Sequence, residues 1–393
     1  MRVYFGVCGI GLGHIGRSAT IAKRIRGMGN EVLCSTYLDA IDYAKQEGLP
    51  LVEAPPMRYA IKPDGSVDLR KTSAYPGALS LAIFLNQTLA EMRYMKAFGP
   101  DVVVSDSRVS SIVAAKTLRI PEVTLLNQYK VTIPRTEHFL RLARIGDAYI
   151  LGIVGGLWAA GEKVLIPDFP MPFTLSVDNL GLPPIMEKKV TFIGPVMDVR
   201  PEDLPNKETV RKNLGLDVRP LIFAPISGSA KEKTYFLGSL RRALKRFPDK
   251  YQIVMSLGDP SSSTELVREG NVTVHSWLPN RFEFLKASDL VIARPGHGTI
   301  TQSICYGKPL ILVPTPNHTE QRNNARGAEK LGIAQIVHQE KLSYGSLLTC
   351  AEEALTSDHF VENAEHLRDK VSEYDGIEAA TKIITFVAEN QLK

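Results

Sequence analysis

A histidine stands inside a glycine-rich turn close to the start of the chain. The stretch from Cys8 to Ser18 reads CGIGLGHIGRS and contains the spacing G-x-G-x-x-G, which is typical of turns that bind a dinucleotide between a strand and a helix. His14 lies within this spacing. At the first turn of a helix, the helix dipole disfavours a charged imidazolium. A neutral His14 could therefore accept a proton from a reacting hydroxyl.

Asp106 is the candidate partner of His14. It directly follows the apolar strand predicted over 101–105. In a parallel sheet this strand end lies at the same edge as the glycine-rich turn, where ligands bind. The carboxylate could orient His14 and stabilise its protonated form, as in catalytic triads. Asp106 could instead cap the helix predicted over 107–118, which is a common use of aspartate.

A nicotinamide cofactor is a poor match for the same turn. Gly11 and Gly13 would let a ligand approach the backbone closely. A nicotinamide site, however, also needs an acidic residue at the end of the second strand, about 20 residues further on. The strand predicted over 31–36 ends in Ser35 and Thr36. The sequence therefore disfavours a dehydrogenase.

A second glycine-rich turn lies in the other half of the chain. Arg294-Pro-Gly-His-Gly-Thr299 follows the strand predicted over 289–293 and precedes a helix. Backbone amides at such a helix start, with Arg294 and His297 beside them, could bind a phosphate-like anion. Ser227-Gly-Ser229, after the strand predicted over 220–226, could add further amides. Each segment could also be an ordinary turn.

Three further side chains could complete a ligand site. Trp277 could stack on a flat heterocycle, although a tryptophan is also a common core residue. Glu320 and Gln321 could hydrogen-bond sugar hydroxyls, but an exposed polar loop would have the same composition.

Strand-like and helix-like segments alternate along the chain, which is typical of α/β domains with parallel sheets. We expect two Rossmann-like domains, residues 1–195 and 196–393, that face each other across a cleft, with the last helix packing back on the first domain. Residues 190–205, rich in proline and charge, would link them. Strands are predicted over 2–8, 31–36, 101–105, 121–126, 220–226, 251–257, 271–276, 289–293 and 309–313, and helices over 16–28, 76–98 and 107–118.

The composition narrows the class of protein. A net charge of +5 over 393 residues gives no reason to expect a nucleic-acid partner. The four cysteines lack the spacing of a zinc site or a disulfide framework. The chain starts with a predicted strand and has no signal sequence, so we expect a cytoplasmic protein. The apolar segment 139–161 is either a buried element or a surface that docks on a membrane.

The ordered residues of the second half resemble the donor-binding region of nucleotide-sugar glycosyltransferases with the GT-B fold. The resemblance rests on Trp277-x-Pro-Asn280, Arg294-x-Gly296, Gly307-x-Pro309, His318-x-Glu-Gln321 and Asn324-Ala325. Gly13-His14 and Ile193-Gly-Pro195 extend it to the first half. Two branches are similar: the UDP-glycosyltransferases of small-molecule conjugation and the N-acetylglucosaminyltransferase of peptidoglycan synthesis.

The resemblance implies a role for each matching residue. Trp277 would stack on uracil, and Asn280 stands where the family has glutamine. Glu320 and Gln321 would contact the donor sugar, and Gln302 stands where the family has a glutamate that contacts the ribose. The diphosphate would be held by the residues of both later turns: Gly228, Ser229, Arg294, Gly296, His297, Gly298 and Thr299.

The reaction implied is an inverting transfer of a sugar from a UDP-sugar to an acceptor hydroxyl, with His14 as general base oriented by Asp106. The small-molecule branch carries an aspartate at this strand end, which favours the dyad over the helix cap. The sequence has no D-x-D motif, so we expect neither a metal nor another cofactor. A nucleotide-sugar epimerase of the same fold and a non-catalytic sugar-nucleotide-binding regulator remain alternatives.

The acceptor is not encoded in a recognisable motif. The positive net charge and the apolar 139–161 segment are compatible with a lipid-linked acceptor and with peripheral association at the inner face of a membrane. Variable loops around 55–59 and the 76–98 helix would form the acceptor side of the cleft.

Overall fold

The computed structural model describes residues 1–57, 77–129, 155–182, 186–226, 228, 230–259 and 266–390. The first half of the chain forms a sheet of seven parallel strands in the order β3-β2-β1-β4-β5-β6-β7. The strands are β1 Arg2–Val7, β2 Glu31–Thr36, β3 Leu51–Glu53, β4 Val102–Asp106, β5 Glu122–Leu125, β6 Lys163–Ile166 and β7 Val190–Phe192.

Two helix starts in this half differ from the prediction. The first helix begins at Gly13, before the predicted residue 16, because the Gly16 amide already donates to the Leu12 carbonyl at 2.9 Å. The helix predicted from 107 begins at Val109, because Ser107 has a left-handed φ of 56° that a helix does not allow. The helices are α1 Gly13–Gly27, α2 Ala40–Gln46, α3 Gly77–Phe98, α4 Val109–Leu118 and α5 Val177–Leu180.

The second half forms another seven-stranded sheet, in the order β10-β11-β9-β8-β12-β13-β14. Only the hairpin of β10 with β11 is antiparallel. Its strands are β8 Leu221–Pro225, β9 Gln252–Ser256, β10 Leu266–Glu269, β11 Val272–His275, β12 Leu290–Ala293, β13 Leu310–Leu312 and β14 Ala334–Ile336. Its helices are α6 Lys207–Asn213, α7 Ala230–Leu244, α8 Arg281–Ala287, α9 His297–Cys305, α10 Thr319–Lys330, α11 Tyr344–Thr356, α12 Asp358–Val371 and α13 Gly376–Asn390.

Helix α13 leaves the second sheet and packs on the first. Its Ala380 and Ile384 are buried in the same core cluster as Val3 of β1 and Ile21 of α1. The chain before α13 is held against the link between the halves, because the Gly376 amide donates to the Pro195 carbonyl at 3.1 Å. The last helix is therefore part of the N-terminal core.

The two halves also contact each other next to α5. Leu175 is buried in the core cluster of the second half. Gly327 of α10 comes so close that a Cβ at this position would lie 2.3 Å from the Leu175 carbonyl oxygen. The Asn179 side chain donates to Asn324 at 2.7 Å and accepts from Asn323 at 2.9 Å. These contacts fix α10 against the first half.

Among the described residues, no helix combines the length and the apolar character needed to cross a bilayer. Most of the apolar 139–161 segment, up to residue 154, lies outside the described residues.

Candidate active site

A cavity of about 300 Å³ lies between the two halves, beside the carboxyl ends of both sheets. In each sheet the chain reverses its winding between neighbouring central strands, β1 and β4 or β8 and β12, and such positions are the usual ligand sites of open α/β sheets. The cavity brings together these residues that the sequence singled out: Gly11, Gly13, His14, Gly228, Trp277, Arg294, Gly296, His297, Gly298, Thr299, Gln302, Glu320 and Gln321.

His14 and Asp106 form a close pair on the N-terminal wall. His14 Nδ1 lies 2.8 Å from Asp106 Oδ1. The Asp106 side chain is fully buried at the end of β4, while 24% of the His14 side chain is exposed. The alternative that Asp106 caps the next helix is wrong, because Arg108 occupies that position and Ser107 separates it from the carboxylate. Asp106 instead faces the start of α1.

Two residues that the sequence reasoning missed also bind Asp106. Arg17 donates from Nε to Oδ2 at 2.8 Å and from Nη2 to Oδ1 at 2.5 Å, and Ser18 Oγ donates to Oδ2 at 2.8 Å. Burial alone would raise the pKa of Asp106, but the charges of Arg17 and His14 outweigh it and hold the pKa well below the ordinary range. Arg17 and Ser18 follow His14 by three and four residues, which places them on the same helix face.

Asn127 connects this wall to the opposite one. It is buried shortly after the end of β5. Its Oδ1 accepts from Arg17 Nη2 at 3.3 Å, and its Nδ2 donates to Glu320 Oε1 at 2.8 Å. Its place after a parallel strand was the signal in the sequence that could have identified it.

The start of α9 forms the C-terminal wall. Gly296 precedes the helix with extended backbone, and none of the described side chains caps the first amides. The first turn carries Gly298 and Thr299, and Gln302 follows one turn later; all three line the cavity. Free amides at a helix start attract anions, so this wall suits a diphosphate.

His297 lines the cavity and also contacts the first half, so its predicted role as a phosphate ligand stays a prediction. Its side chain is buried, and its Nε2 lies 3.1 Å from Asp168 Oδ2 in the first half. Burial would raise the pKa of Asp168, but His297 and the hydrogen bonds from Ser176 lower the pKa below its usual value. His297 therefore joins the two halves beside the cavity.

The Arg294 guanidinium also forms hydrogen bonds and a ring contact within the protein. Its Nη1 donates to the Val313 carbonyl at 2.9 Å, its Nη2 donates to Gln339 at 2.5 Å, and the guanidinium lies 3.9 Å from the centre of the Phe236 ring. Only 3% of Arg294 is exposed. Arg294 therefore supports the turn before α9. It also lines the cavity, and its direct contact with a diphosphate stays a prediction.

The predicted base platform lies mostly inside the protein. Trp277 is only 9% exposed and packs edge-on against Tyr43 of the first half, with ring centres 6.1 Å apart. Asn280 is not among the described residues that line the cavity. Its side-chain amide instead donates to Glu283 at 2.9 Å, at the start of α8. Ser229 lies outside the described residues.

The residues expected at the donor sugar do reach the cavity. Glu320 and Gln321 lie in the first turn of α10, and together with His318 they line the cavity. Gln321 Oε1 accepts from the Thr315 amide at 2.9 Å. Within the described ranges, no cluster of three or more His, Cys, Asp or Glu side chains is arranged to hold a metal ion.

Comparison with known proteins identifies the class of this site. Residues 231–379 match the glycosyltransferase family 28 C-terminal domain. The chain is also 26% identical over 389 residues to an uncharacterized glycosyltransferase of Methanosarcina mazei, with 98% of both chains covered. The chain is therefore similar to glycosyltransferases over nearly its whole length, and its C-terminal half matches this family's domain. These matches support a glycosyltransferase, for which the cavity between the two halves is the candidate active site.

Further relatives and solved structures agree with this assignment. The glycosyltransferase is 26% identical to UDP-N-acetylglucosamine--N-acetylmuramyl-(pentapeptide) pyrophosphoryl-undecaprenol N-acetylglucosamine transferase of Oenococcus oeni, over 78% of its own chain and 77% of the relative. The kitacinnamycin glycotransferase superposes with a TM-score of 0.66 at 19% identity, covering 98% of both chains. SsfS6 of Streptomyces sp. SF2575, complexed with thymidine diphosphate, gives 0.64 at 17% identity over 98% and 99%. At these identities the solved structures support the fold alone.

Proposed function

We propose that this glycosyltransferase moves a sugar from a nucleoside diphosphate sugar, with UDP as the nucleotide, to an acceptor hydroxyl with inversion at the anomeric carbon. The observation that carries the proposal is the position of His14, which is paired with the buried Asp106 and lines the same cavity as the start of α9 from the opposite wall.

His14 is the general base of this proposal. Its Nδ1 faces Asp106, so Nε2 is the ring nitrogen that takes the proton of the acceptor hydroxyl. The hydroxyl oxygen forms the new bond to the anomeric carbon while the bond to the diphosphate oxygen breaks, and the leaving nucleoside diphosphate keeps that electron pair. Asp106 stabilises the imidazolium formed, as the carboxylate of a triad does.

The α9 wall stabilises the leaving group. Gly298 and Thr299 lie in the first turn of this helix, and in the proposed reaction their amides meet the negative charge that develops on the diphosphate. Gly228 adds backbone to the same cavity from the end of β8. A base on one wall and a diphosphate on the other require attack from the face opposite the leaving group, and such a single displacement inverts the anomeric carbon.

The choice of uridine rests on the relatives. The Oenococcus oeni transferase is named for UDP-N-acetylglucosamine, and SsfS6 was solved with thymidine diphosphate, which is also a pyrimidine nucleotide. Gln302 can hydrogen-bond a ribose hydroxyl through its amide, but without the charge of a carboxylate. We therefore expect UDP-sugars to bind first and TDP-sugars to compete.

A lipid-linked acceptor used at the cytoplasmic face of a membrane is the corresponding proposal for the other substrate. The Oenococcus oeni relative is named for a pyrophosphoryl-undecaprenol acceptor, and the net charge of +5 favours weak attraction to anionic lipids. Co-sedimentation with anionic vesicles, compared with neutral ones, tests the membrane part. Equal recovery in the supernatant with both would contradict it.

Donor binding and product configuration test the proposed reaction. Calorimetric titration with UDP, UDP-glucose, UDP-N-acetylglucosamine, TDP-glucose and a GDP-sugar, each with and without EDTA, should show metal-independent binding of UDP species. NMR of the freshly formed product should show the inverted anomer. Release of an altered free sugar in the absence of any acceptor would identify an epimerase instead, and binding without turnover would indicate a regulator.

A further inference from the structure

One nitrogen of Arg17 has more acceptors around it than hydrogens to donate. Arg17 Nη2 lies 2.5 Å from Asp106 Oδ1, 3.0 Å from His14 Nδ1 and 3.3 Å from Asn127 Oδ1. A terminal guanidinium nitrogen carries two hydrogens. Arg17 can therefore serve two of these three neighbours at a time.

The choice between the neighbours decides which nitrogen of His14 is protonated. If Nη2 serves Asp106 and Asn127, His14 Nδ1 carries its own hydrogen and donates it to Asp106 over 2.8 Å. The lone pair is then on Nε2, and the ring can accept a proton from a substrate. If Nη2 instead donates to Nδ1, the hydrogen moves to Nε2 and the neutral ring can no longer act as a base there.

Glu320 determines which way the Asn127 amide faces. Asn127 Nδ2 donates to Glu320 Oε1 at 2.8 Å, and an ionised carboxylate accepts hydrogen bonds only. The amide oxygen must then face Arg17. A flipped amide would bring an N–H group against the guanidinium and two oxygens together. Asn127 is only 6% exposed, so water compensates little for either mismatch.

We infer that Asn127 is a positioning residue that keeps His14 in the tautomer able to act as a base, by occupying one hydrogen of Arg17 under the control of Glu320. The inference rests on the proposed role of His14. The ability of His14 to act as a base then depends on Glu320 of the C-terminal half. Glu320 accepts from Asn127, Asn127 accepts from Arg17, and His14 Nδ1 can therefore donate to Asp106.

Long-range ¹H–¹⁵N NMR of the whole protein labelled with [¹⁵N]histidine reads the tautomer directly. Spectra are recorded without substrate near pH 8.5, about two units above the ordinary imidazole pKa. The His14→Gln variant identifies the His14 signals. The wild type should show a protonated Nδ1, and Asn127→Ala should move His14 towards a protonated Nε2.

Two further variants separate the hydrogen-bond effect from a general loss of structure. Arg17→Met in the Asn127→Ala background removes the competing donor and should restore the wild-type tautomer. Glu320→Ala should act like Asn127→Ala, whereas Glu320→Gln keeps an accepting oxygen and should preserve the wild-type tautomer. The value of kcat should fall in proportion to the fraction of His14 that keeps the base-competent tautomer, about tenfold if that fraction drops to about one tenth, since only this form reacts.

The inference is overturned if folded Asn127→Ala, checked by its thermal unfolding, keeps the wild-type tautomer. It is also overturned if the shift persists when Arg17 is replaced as well. Because these spectra need no substrate, a tautomer shift in a protein that transfers no sugar would sustain the hydrogen-bond selection and refute only the proposed function.

Discussion

Replacing Asp106 by Asn tests the base pair through both activity and stability. The carboxylate of Asp106 accepts from His14, from Ser18 and twice from Arg17. An amide has one accepting oxygen, and its NH₂ group would face a donor on the other side. At least one of these contacts must therefore become repulsive in Asp106→Asn.

The expected loss of activity is large. A carboxylate-to-amide change beside a catalytic histidine lowers kcat by about 10⁴ in serine proteases, because the ring takes the wrong tautomer.

The same change should also lower the stability of the fold. Breaking a buried ion pair by removing one partner costs roughly 3–5 kcal/mol in the free energy of unfolding. For Asp106→Asn we expect a decrease in the free energy of unfolding near the lower end of that range, since 10% of the Arg17 side chain is exposed and keeps some hydration.

The pH dependence has a defined sign. The pKa of Asp106 is lower in the folded protein than its ordinary value near 3.9, because Arg17 and His14 outweigh the effect of burial. Its stabilising contribution is therefore present above about pH 4 and is lost as the pH falls below that value. The difference in the free energy of unfolding between wild type and Asp106→Asn should be constant from pH 7 to 5 and shrink in more acidic solution.

Urea unfolding at several pH values and the rate of UDP release measure the two effects. Ser111→Ala is the matched control. It also removes a buried hydroxyl near the same sheet, but this hydroxyl bonds to Ser105 and Arg108 and not to Asp106. It should keep kcat within about threefold. If Asp106→Asn keeps kcat within a few-fold of wild type while remaining folded, the reasoning about the pair is refuted.

Three further changes test other parts of the account. Trp277→Ala should cost about 3–5 kcal/mol in urea unfolding, since the ring is buried against Tyr43, and should weaken UDP binding in calorimetry; unchanged stability would contradict the described packing. Arg294→Lys should lower the free energy of unfolding by about 2–3 kcal/mol, because a lysine cannot reproduce both hydrogen bonds, and should change the Kd for UDP less than about threefold if Arg294 acts as a support; a large loss of affinity in a stable variant would instead favour the direct phosphate contact. Burial raises the pKa of Glu122 to about 8, so the folded protein loses stability as the pH rises from about 4 to 8; Glu122→Gln should lack this loss, and parallel pH profiles of unfolding would disprove it.

The sequence predicted the parts of the site that depend on local pattern. The strand before each glycine-rich turn lies where expected, and His14 and Asp106 meet because β1 and β4 are neighbours with Val7 opposite Asp106. Regular alternation of parallel strands and helices was enough to bring these strand ends together. The domain boundary, the donor nucleotide and the role of each site residue stay predictions.

The parts that sequence reasoning missed depend on contacts between distant segments. Trp277 packs against Tyr43, and Arg294 donates hydrogen bonds to Val313 and Gln339. Each of these partners lies far from the residue it contacts in the sequence. The orientation of the Asn127 amide is set by Glu320, which faces it from the other half of the chain. Side-chain chemistry shows what a residue can bind, but only the assembled cavity shows whether its hydrogen bonds are already used.

The most direct test of the central claim compares wild type with His14→Gln at saturating UDP-sugar, with water or a small alcohol as acceptor, while calorimetry follows the Kd for UDP. Glutamine can keep a hydrogen bond to Asp106 but cannot act as a base near neutral pH. We expect kcat to fall by about 10²–10⁴, as for the loss of a general base, with the Kd changed less than about threefold. An unchanged kcat in a variant that binds UDP normally would contradict it.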